Sequence, residues 1–170
     1  INITNDLAIG LKTDLDVAEQ VKIKHASLEK KGVPKTVRVQ YEGKDHLFDT
    51  EEIFMITEAR VEELLELVDK ELKKIHRSRK LPGGVVLVGG TSKLPGMAEF
   101  AREKLQLAAR TGQLQSLSGL VDTVQDPGYT TAVGLMMLDM LLLPGGNTKP
   151  GEPNAGVFRA VEGLFKKFKK

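Results

Sequence analysis

Residues 84–100 restrict the fold more than any other segment, because their pattern changes from that of a strand to that of a helix. They read GVVLVGGTSKLPGMAEF, in which four aliphatic residues precede two glycines, a Leu-Pro-Gly turn and an amphipathic helical pattern. A short, continuously apolar strand is typical of a parallel sheet buried on both faces. The carboxyl end of such a strand is where α/β proteins usually bind ligands, and glycine lets the backbone come close to one. The segment therefore predicts an α/β fold with a candidate ligand loop at Gly89 and Gly90.

A purely structural turn is the alternative for this loop. The letters GGTSKLPG have neither the GxGxxG spacing of dinucleotide-binding turns nor the Walker pattern GxxxxGK[ST]. Pro95 is also an ordinary residue for the first turn of a helix. The loop alone does not decide between a ligand site and a tight turn.

The net charge is small but unevenly distributed. The chain has 170 residues and a formal charge of +2, yet residues 156–170 carry five basic side chains against Glu162, a local charge of +4. The preceding 155 residues therefore sum to −2, which argues against a nucleic-acid-binding body. Cysteine is absent, so no disulfide holds the fold together. The hydrophobic share of 41% is enough to build a core in one domain or two small ones.

Hydrophobic spacing outside this segment predicts further helices and a hairpin. Helices are expected near residues 3–12, 13–25, 49–75 and 130–142, in addition to 95–105. The alternating run TVRVQY and the run HLFDT, joined by the turn EGKD, are typical of an antiparallel hairpin. Residues 109–123 are ambiguous, with a loop and a short strand as their interpretation. Expected helix caps are Thr4, Asn5 or Asp6, then Thr13 with Asp16, and Asp49 with Glu52.

The C-terminal region divides into a linker and a separate amphipathic tail. Residues 144–156 contain three prolines and four glycines, a composition typical of a flexible linker. Residues 157–170 follow with apolar side chains at helical spacing and basic ones on the other side. This combination predicts an amphipathic helix that inserts into an anionic membrane surface, with docking on the chain's own core as the alternative. The membrane-facing set is Phe158, Val161, Leu164, Phe165 and Phe168, with Arg159, Lys166, Lys167, Lys169 and Lys170.

Two further features have a functional and an ordinary interpretation. Glu19 and Lys22 share a helix face, so they form either a surface ion pair or a carboxylate and amine for the ribose and base of a nucleotide. Arg60 lies among Glu58, Glu62 and Glu63, and a solvated helix arginine is its ordinary interpretation.

Three segments in this order carry a resemblance to a known family. AEQVKIK, VVLVGGTSKLPG and DPGYTTAVGL together resemble the second half of an actin-like ATPase, and the opening INITNDLAIGLKTDLDVAEQVKIK resembles the bacterial division family FtsA. The resemblance implies an actin-like, ribonuclease H-like α/β fold. Residues 1–12 and 83–143 would form part of subdomain 2A, and residues 13–82 the inserted smaller α/β subdomain 2B.

The resemblance also implies site residues. An adenosine loop would consist of Gly89, Gly90, Thr91, Lys93 and Leu94, and Glu19 with Lys22 would contact the nucleoside. Arg60 matches an arginine that helps the family bind the C-terminal peptide of the tubulin-like protein FtsZ. No catalytic residue and no metal ligand is expected in this chain, because the family's phosphate loops and metal-binding acids lie upstream.

The function implied by the resemblance is that of a cell-division scaffold. The parent protein would bind ATP with Mg²⁺, self-associate into actin-like filaments, and tether FtsZ to the cytoplasmic face of the bacterial membrane at the division site. It would be at most a slow ATPase, and this chain, taken as a C-terminal half, would be inactive. The alternatives are an MreB-like or pilus-assembly scaffold and half of a small-molecule kinase of the same superfamily.

Overall fold

The structure is a computed structural model that describes residues 1–29, 32, 34–112 and 126–142. Its backbone contacts divide the chain into two compact units, Ile1–Gly112 and Gln113–Lys170. The first unit is a mixture of helices and strands, which confirms the α/β expectation. The finer assignment of residues to subdomains 2A and 2B stays a prediction.

The first unit begins with two short helices, α1 (Asn2–Gly10) and α2 (Leu15–His25). The expected caps of both helices are wrong. Helix α1 is preceded by Ile1, so Thr4, Asn5 and Asp6 lie inside it, and α2 is preceded by Asp14 rather than Thr13. Neither capping residue makes a side-chain hydrogen bond to its helix.

A β-hairpin and a long helix follow. Strands β1 (Thr36–Tyr41) and β2 (Lys44–Asp49) pair antiparallel, as the alternating pattern predicts. The two turn residues, Glu42 and Gly43, both have positive φ, which matches the twist of a tight hairpin. Helix α3 (Thr50–Lys74) starts where expected, and the Asp49 carboxylate accepts a hydrogen bond from the Glu51 N–H at 2.8 Å.

A parallel β–α–β unit completes this first part. Strand β3 (Val85–Leu87) pairs parallel with β4 (Ala109–Thr111), and α4 (Met97–Leu105) connects them. The expectation that β3 is buried on both faces is wrong, because none of its three residues is buried and Val86 is 48% exposed. In the described residues this sheet consists of β3 and β4 alone.

The core lies between α1, α2, α3 and the hairpin, and it extends to α4. Leu7, Val21, Ile53 and Val61 are completely or almost completely buried within it. Along α3, Phe54, Val61 and Leu65 are buried and Leu72 is half-buried against the core, whereas Val68 and Ile75 are exposed. This core fixes α1 and α2 beside α3, which positions the polar residues described below.

The described part of the second unit is a 3₁₀ turn (Pro127–Tyr129) followed by α5 (Thr130–Leu142), as the sequence predicts. The Asp126 carboxylate accepts from the Gly128 N–H at 2.7 Å and so caps the turn. Among the helices in the described residues, none is long and apolar enough to cross a membrane. The predicted linker (144–156) and tail (157–170) lie outside the described residues.

Candidate functional site

The loop after β3 is a glycine-entered 3₁₀ turn. Gly89 has φ 91°, a value that L-amino acids with a side chain rarely adopt, and it leads into the turn Gly90–Lys93. The Gly89 carbonyl accepts from the Ser92 N–H at 3.1 Å and from the Ser92 hydroxyl at 2.7 Å. Ser92 is buried beneath the turn, whereas Gly90, Thr91 and Lys93 are exposed and Leu94 is half-buried. The buried Ser92 therefore fixes the turn, and Gly90, Thr91 and Lys93 face solvent.

The glycines around β3 fall into two groups according to what a side chain would meet. A Cβ at Gly84 would lie 2.2 Å from the Ala108 carbonyl oxygen, and one at Gly112 would lie 2.7 Å from a Val88 methyl. Close packing therefore requires those two glycines. A Cβ at Gly89 or Gly90 would meet no atom of the described part of the chain within 4 Å. Packing does not explain Gly90, and its open side leaves room for a ligand against bare backbone at the carboxyl end of β3.

Glu19 and Lys22 on α2 form more than a surface ion pair. The Lys22 ammonium lies 2.7 and 2.6 Å from the two Glu19 carboxylate oxygens, as the three-residue spacing predicts. The Thr4 hydroxyl of α1 donates to Glu19 at 2.6 Å and accepts from Lys22 at 3.0 Å. Thr4 is 5% exposed, whereas the side chains of Glu19 and Lys22 are 41% and 23% exposed. The polar cluster is thus anchored on its buried side and reachable from solvent on the other.

This cluster keeps Glu19 ionised. The hydrogen bonds from Lys22 and then Thr4 lower the pKa of Glu19, and they outweigh the opposing effect of partial burial. An ionised carboxylate accepts hydrogen bonds only, and it is suited to hydroxyl donors such as those of a ribose.

The loop after α2 contacts the loop after β3. The Leu28 N–H donates to the Pro95 carbonyl at 2.9 Å, and a Cβ on Gly96 would come within 3.2 Å of the Leu28 backbone. Gly96 also has φ 78°, so two constraints require glycine there. The segment that continues from Glu19 and Lys22 is therefore attached directly to the end of the glycine turn.

Arg60 of α3 contacts carboxylates of its own chain. Its guanidinium donates through Nε and Nη2 to the two oxygens of Asp6 on α1, the Nη2 bond being 2.7 Å, and through Nη1 to Glu63. The Asp6 carboxylate raises the pKa of Arg60 further. The side chain remains 27% exposed, at the edge of a cavity of about 350 Å³ whose lining includes Ile9, Gly10 and Ile56. Sequence reasoning missed Asp6, since 54 residues separate the partners.

A second long-range ion pair was also missed. Lys104 of α4 contacts Glu62 of α3, and this contact raises the pKa of Lys104. This ion pair connects α3 with α4, and within the described residues its hydrogen bond does not involve the glycine turn. Within the described residues no group of three or more His, Cys, Asp or Glu side chains is placed to hold a metal ion.

Comparison with known proteins gives a consistent result. A family model described as cell division protein FtsA matches residues 1–134. Cell division protein FtsA of Pseudomonas aeruginosa is 34% identical, with 96% of this chain and 43% of that protein covered. The FtsA proteins of Neisseria meningitidis and Bacillus subtilis are 36% and 37% identical over 79% of this chain, which is 34% and 30% of their own lengths.

The chain therefore spans less than half the length of each of these relatives. The family match itself covers most of the chain and includes the glycine turn, the Glu19–Lys22 cluster and Arg60. On this similarity the chain belongs to the cell division protein FtsA family.

Proposed function

We propose that this chain provides the adenosine-binding and membrane-attaching part of an FtsA-type cell-division scaffold. The observation that carries the nucleotide proposal is the open glycine turn at the carboxyl end of β3, where a Cβ on Gly90 would meet no atom of the described residues within 4 Å. Family membership supports the cell-division role. The assembled parent protein would bind ATP, polymerise, and hold FtsZ filaments at the cytoplasmic face of the bacterial membrane at the division site.

The residues present fit the nucleoside end of ATP. Gly89 and Gly90 offer bare backbone to the flat base, while Thr91, Lys93 and Leu94 border the same turn. The ionised Glu19 would accept from the ribose hydroxyls, with Lys22 beside it. When bound, ATP with Mg²⁺ would supply the phosphates that switch filament assembly. This chain's own contribution is to bind and orient the base and ribose.

Titration of the ¹⁵N-labelled chain with adenosine tests this proposal. We expect amide shifts at Gly89, Gly90 and Thr91, together with shifts around Lys22 on α2. Ribose 5-phosphate is the matched control, and it should move only the α2 signals because it has no base. Adenosine shifts that avoid both regions would contradict the assignment.

We further propose that Arg60 binds the carboxylates of the FtsZ C-terminal peptide. The guanidinium is exposed at a cavity partly lined by Ile9 and Ile56, which suits a peptide with acidic and apolar side chains. Asp6 and Glu63 already accept from Arg60, so binding is an exchange of one carboxylate for another. An exchange of this kind yields modest affinity, because each new hydrogen bond replaces an existing one.

Fluorescence anisotropy with a labelled FtsZ C-terminal peptide tests the role of Arg60. Arg60→Gln should weaken binding, whereas Arg38→Gln, on the exposed face of the hairpin, is the matched control and should not. Equal affinities for the two variants would remove Arg60 from the partner site.

Membrane attachment is proposed for residues 157–170 on sequence grounds. Phenylalanine insertion and attraction of Arg159 and the four lysines to anionic lipid would act together. Co-sedimentation with vesicles of phosphatidylglycerol and phosphatidylethanolamine measures this. Phe158→Glu with Phe165→Glu should abolish pelleting, and raised salt should only weaken it. Equal pelleting of the chain with and without these residues would refute the proposal.

A further inference from the structure

Both proposed sites have a polar contact on the same short helix. Thr4 and Asp6 are two positions apart on α1, so their side chains point about 200° apart around the helix axis. Thr4 contacts the Glu19–Lys22 pair on α2. Asp6 contacts Arg60 on α3. Polar contacts therefore hold α1 on two opposite sides, to α2 through Thr4 and to α3 through Asp6.

The body of α1 is well packed between these two contacts. Ile3 is 5% exposed and Leu7 is fully buried, and a Cβ on Gly10 would lie 2.4 Å from the Ile56 side chain of α3. The buried residues of such a helix shift together, because the space around them is filled. A small movement at Thr4 is then transmitted to Asp6, which is only about 3 Å further along the axis.

We propose that α1 couples the two sites, so that binding of a nucleoside at Glu19 and Lys22 favours binding of an acidic peptide at Arg60. This inference rests on the proposed function, since it takes both ligands from it. It adds regulation of each site by the ligand of the other.

The sign of the coupling follows from which contacts each ligand replaces. The Glu19 Oε2 already accepts from both Thr4 and Lys22, which uses its two lone pairs, so a ribose hydroxyl that donates to Oε2 replaces the Thr4 hydroxyl. Loss of that bond loosens α1 from α2. An acidic peptide must separate Arg60 from Asp6, and this separation is easier when α1 is already free to move. The two ligands therefore assist each other, and linkage makes the effect reciprocal.

The first test needs no ligand. Thr4→Val removes the hydroxyl and keeps the shape of the side chain, and Thr36→Val on the exposed face of β1 is its matched control. Thr4→Val should raise the solvent-exchange rate of the Arg60 Nε–H, measured by ¹⁵N NMR, and Thr36→Val should leave it unchanged. An unchanged Arg60 signal in both variants would overturn the inference.

The second test measures the coupling directly. Saturating ATP should tighten the binding of an acidic peptide to the chain by about fivefold or more, the lower end of typical allosteric coupling. In Thr4→Val the peptide should bind more tightly without ATP, and ATP should add nothing. If both ligands bind and neither changes the other's affinity, the coupling is refuted while the proposed function stands. If either ligand fails to bind, the proposed function fails and the coupling fails with it.

Discussion

Replacing Gly90 by alanine should separate a ligand-binding glycine from a structural one. Gly90 has no positive φ, and a Cβ there would lie more than 4 Å from the residues that the structure describes. Alanine is therefore compatible with the native backbone. Because it restricts the unfolded chain more than glycine does, Gly90→Ala should stabilise the fold by about 0.4–1 kcal/mol.

Gly84→Ala is the matched comparison in the same β–α–β unit. Its φ of 67° is unfavourable for alanine, and its Cβ would lie 2.2 Å from the Ala108 carbonyl oxygen. That oxygen accepts from the Val85 N–H at 2.8 Å, so the backbone cannot move away without loss of this bond. Strain and overpacking together should destabilise the fold by roughly 2–5 kcal/mol.

Adenosine affinity is the readout that decides the role of Gly90. The new methyl group would occupy the open space above the turn, and misfit of this size typically costs about 1–3 kcal/mol. The dissociation constant for adenosine should then rise by roughly 5- to 150-fold. Urea unfolding and an NMR titration on the same sample measure both effects. A Gly90→Ala protein that is folded and binds adenosine as the original chain does would refute the adenosine-loop assignment.

Three further predictions concern stability, and urea unfolding measures each. Leu7→Ala should cost about 2–5 kcal/mol because Leu7 is fully buried, whereas Leu47→Ala, at a site 66% exposed, should stay within about 0.5 kcal/mol. Asp49→Ala removes the carboxylate that caps α3 and should cost about 1 kcal/mol; an unchanged midpoint would contradict the cap. The pKa of Glu19 is lowered in the folded state, so its contribution is present above the ordinary value of 4.5 and is lost as pH falls through the lower folded value. Glu19→Gln should remove this part of the acid sensitivity, and identical pH profiles would show that the cluster contributes nothing.

The elements that sequence predicted best are those whose burial pattern is local. Val37 and Val39 alternate with exposed neighbours, so the period of two identified β1 before its partner was known. Asp49 stands directly before a long periodic helix and its cap was correctly placed. Residues 109–123 indicated a short strand without fixing its bounds, and β4 is placed at Ala109–Thr111 because it pairs with β3, a contact between distant segments.

Sequence predicted how Glu19 and Lys22 lie relative to each other, but not the other residues that they contact; their role in a nucleotide site stays a prediction. The spacing of Glu19 and Lys22 placed them on one face of α2, as the structure shows. It could not reveal the Thr4 hydroxyl, which lies 15 positions before Glu19. Arg60 was singled out by the family resemblance alone, and its contact with Asp6 depends on how α1 packs on α3. Pairings of this kind are set by tertiary packing, which residue spacing does not encode.

Thr4 and Asp6 were expected to cap α1 but lie inside it, and the reason supports a role for this helix in tertiary packing. Threonine and aspartate inside a helix are each roughly 0.5 kcal/mol less favourable than alanine, so isolated α1 would gain helicity from alanine at positions 4 and 6. In the protein, Thr4→Ala or Asp6→Ala would instead break a contact to α2 or α3. Alanine should therefore increase the helicity of an α1 peptide measured by circular dichroism and lower the stability of the chain. A gain of stability in both contexts would show that these side chains are ordinary helix residues and that α1 carries no connection between the two sites.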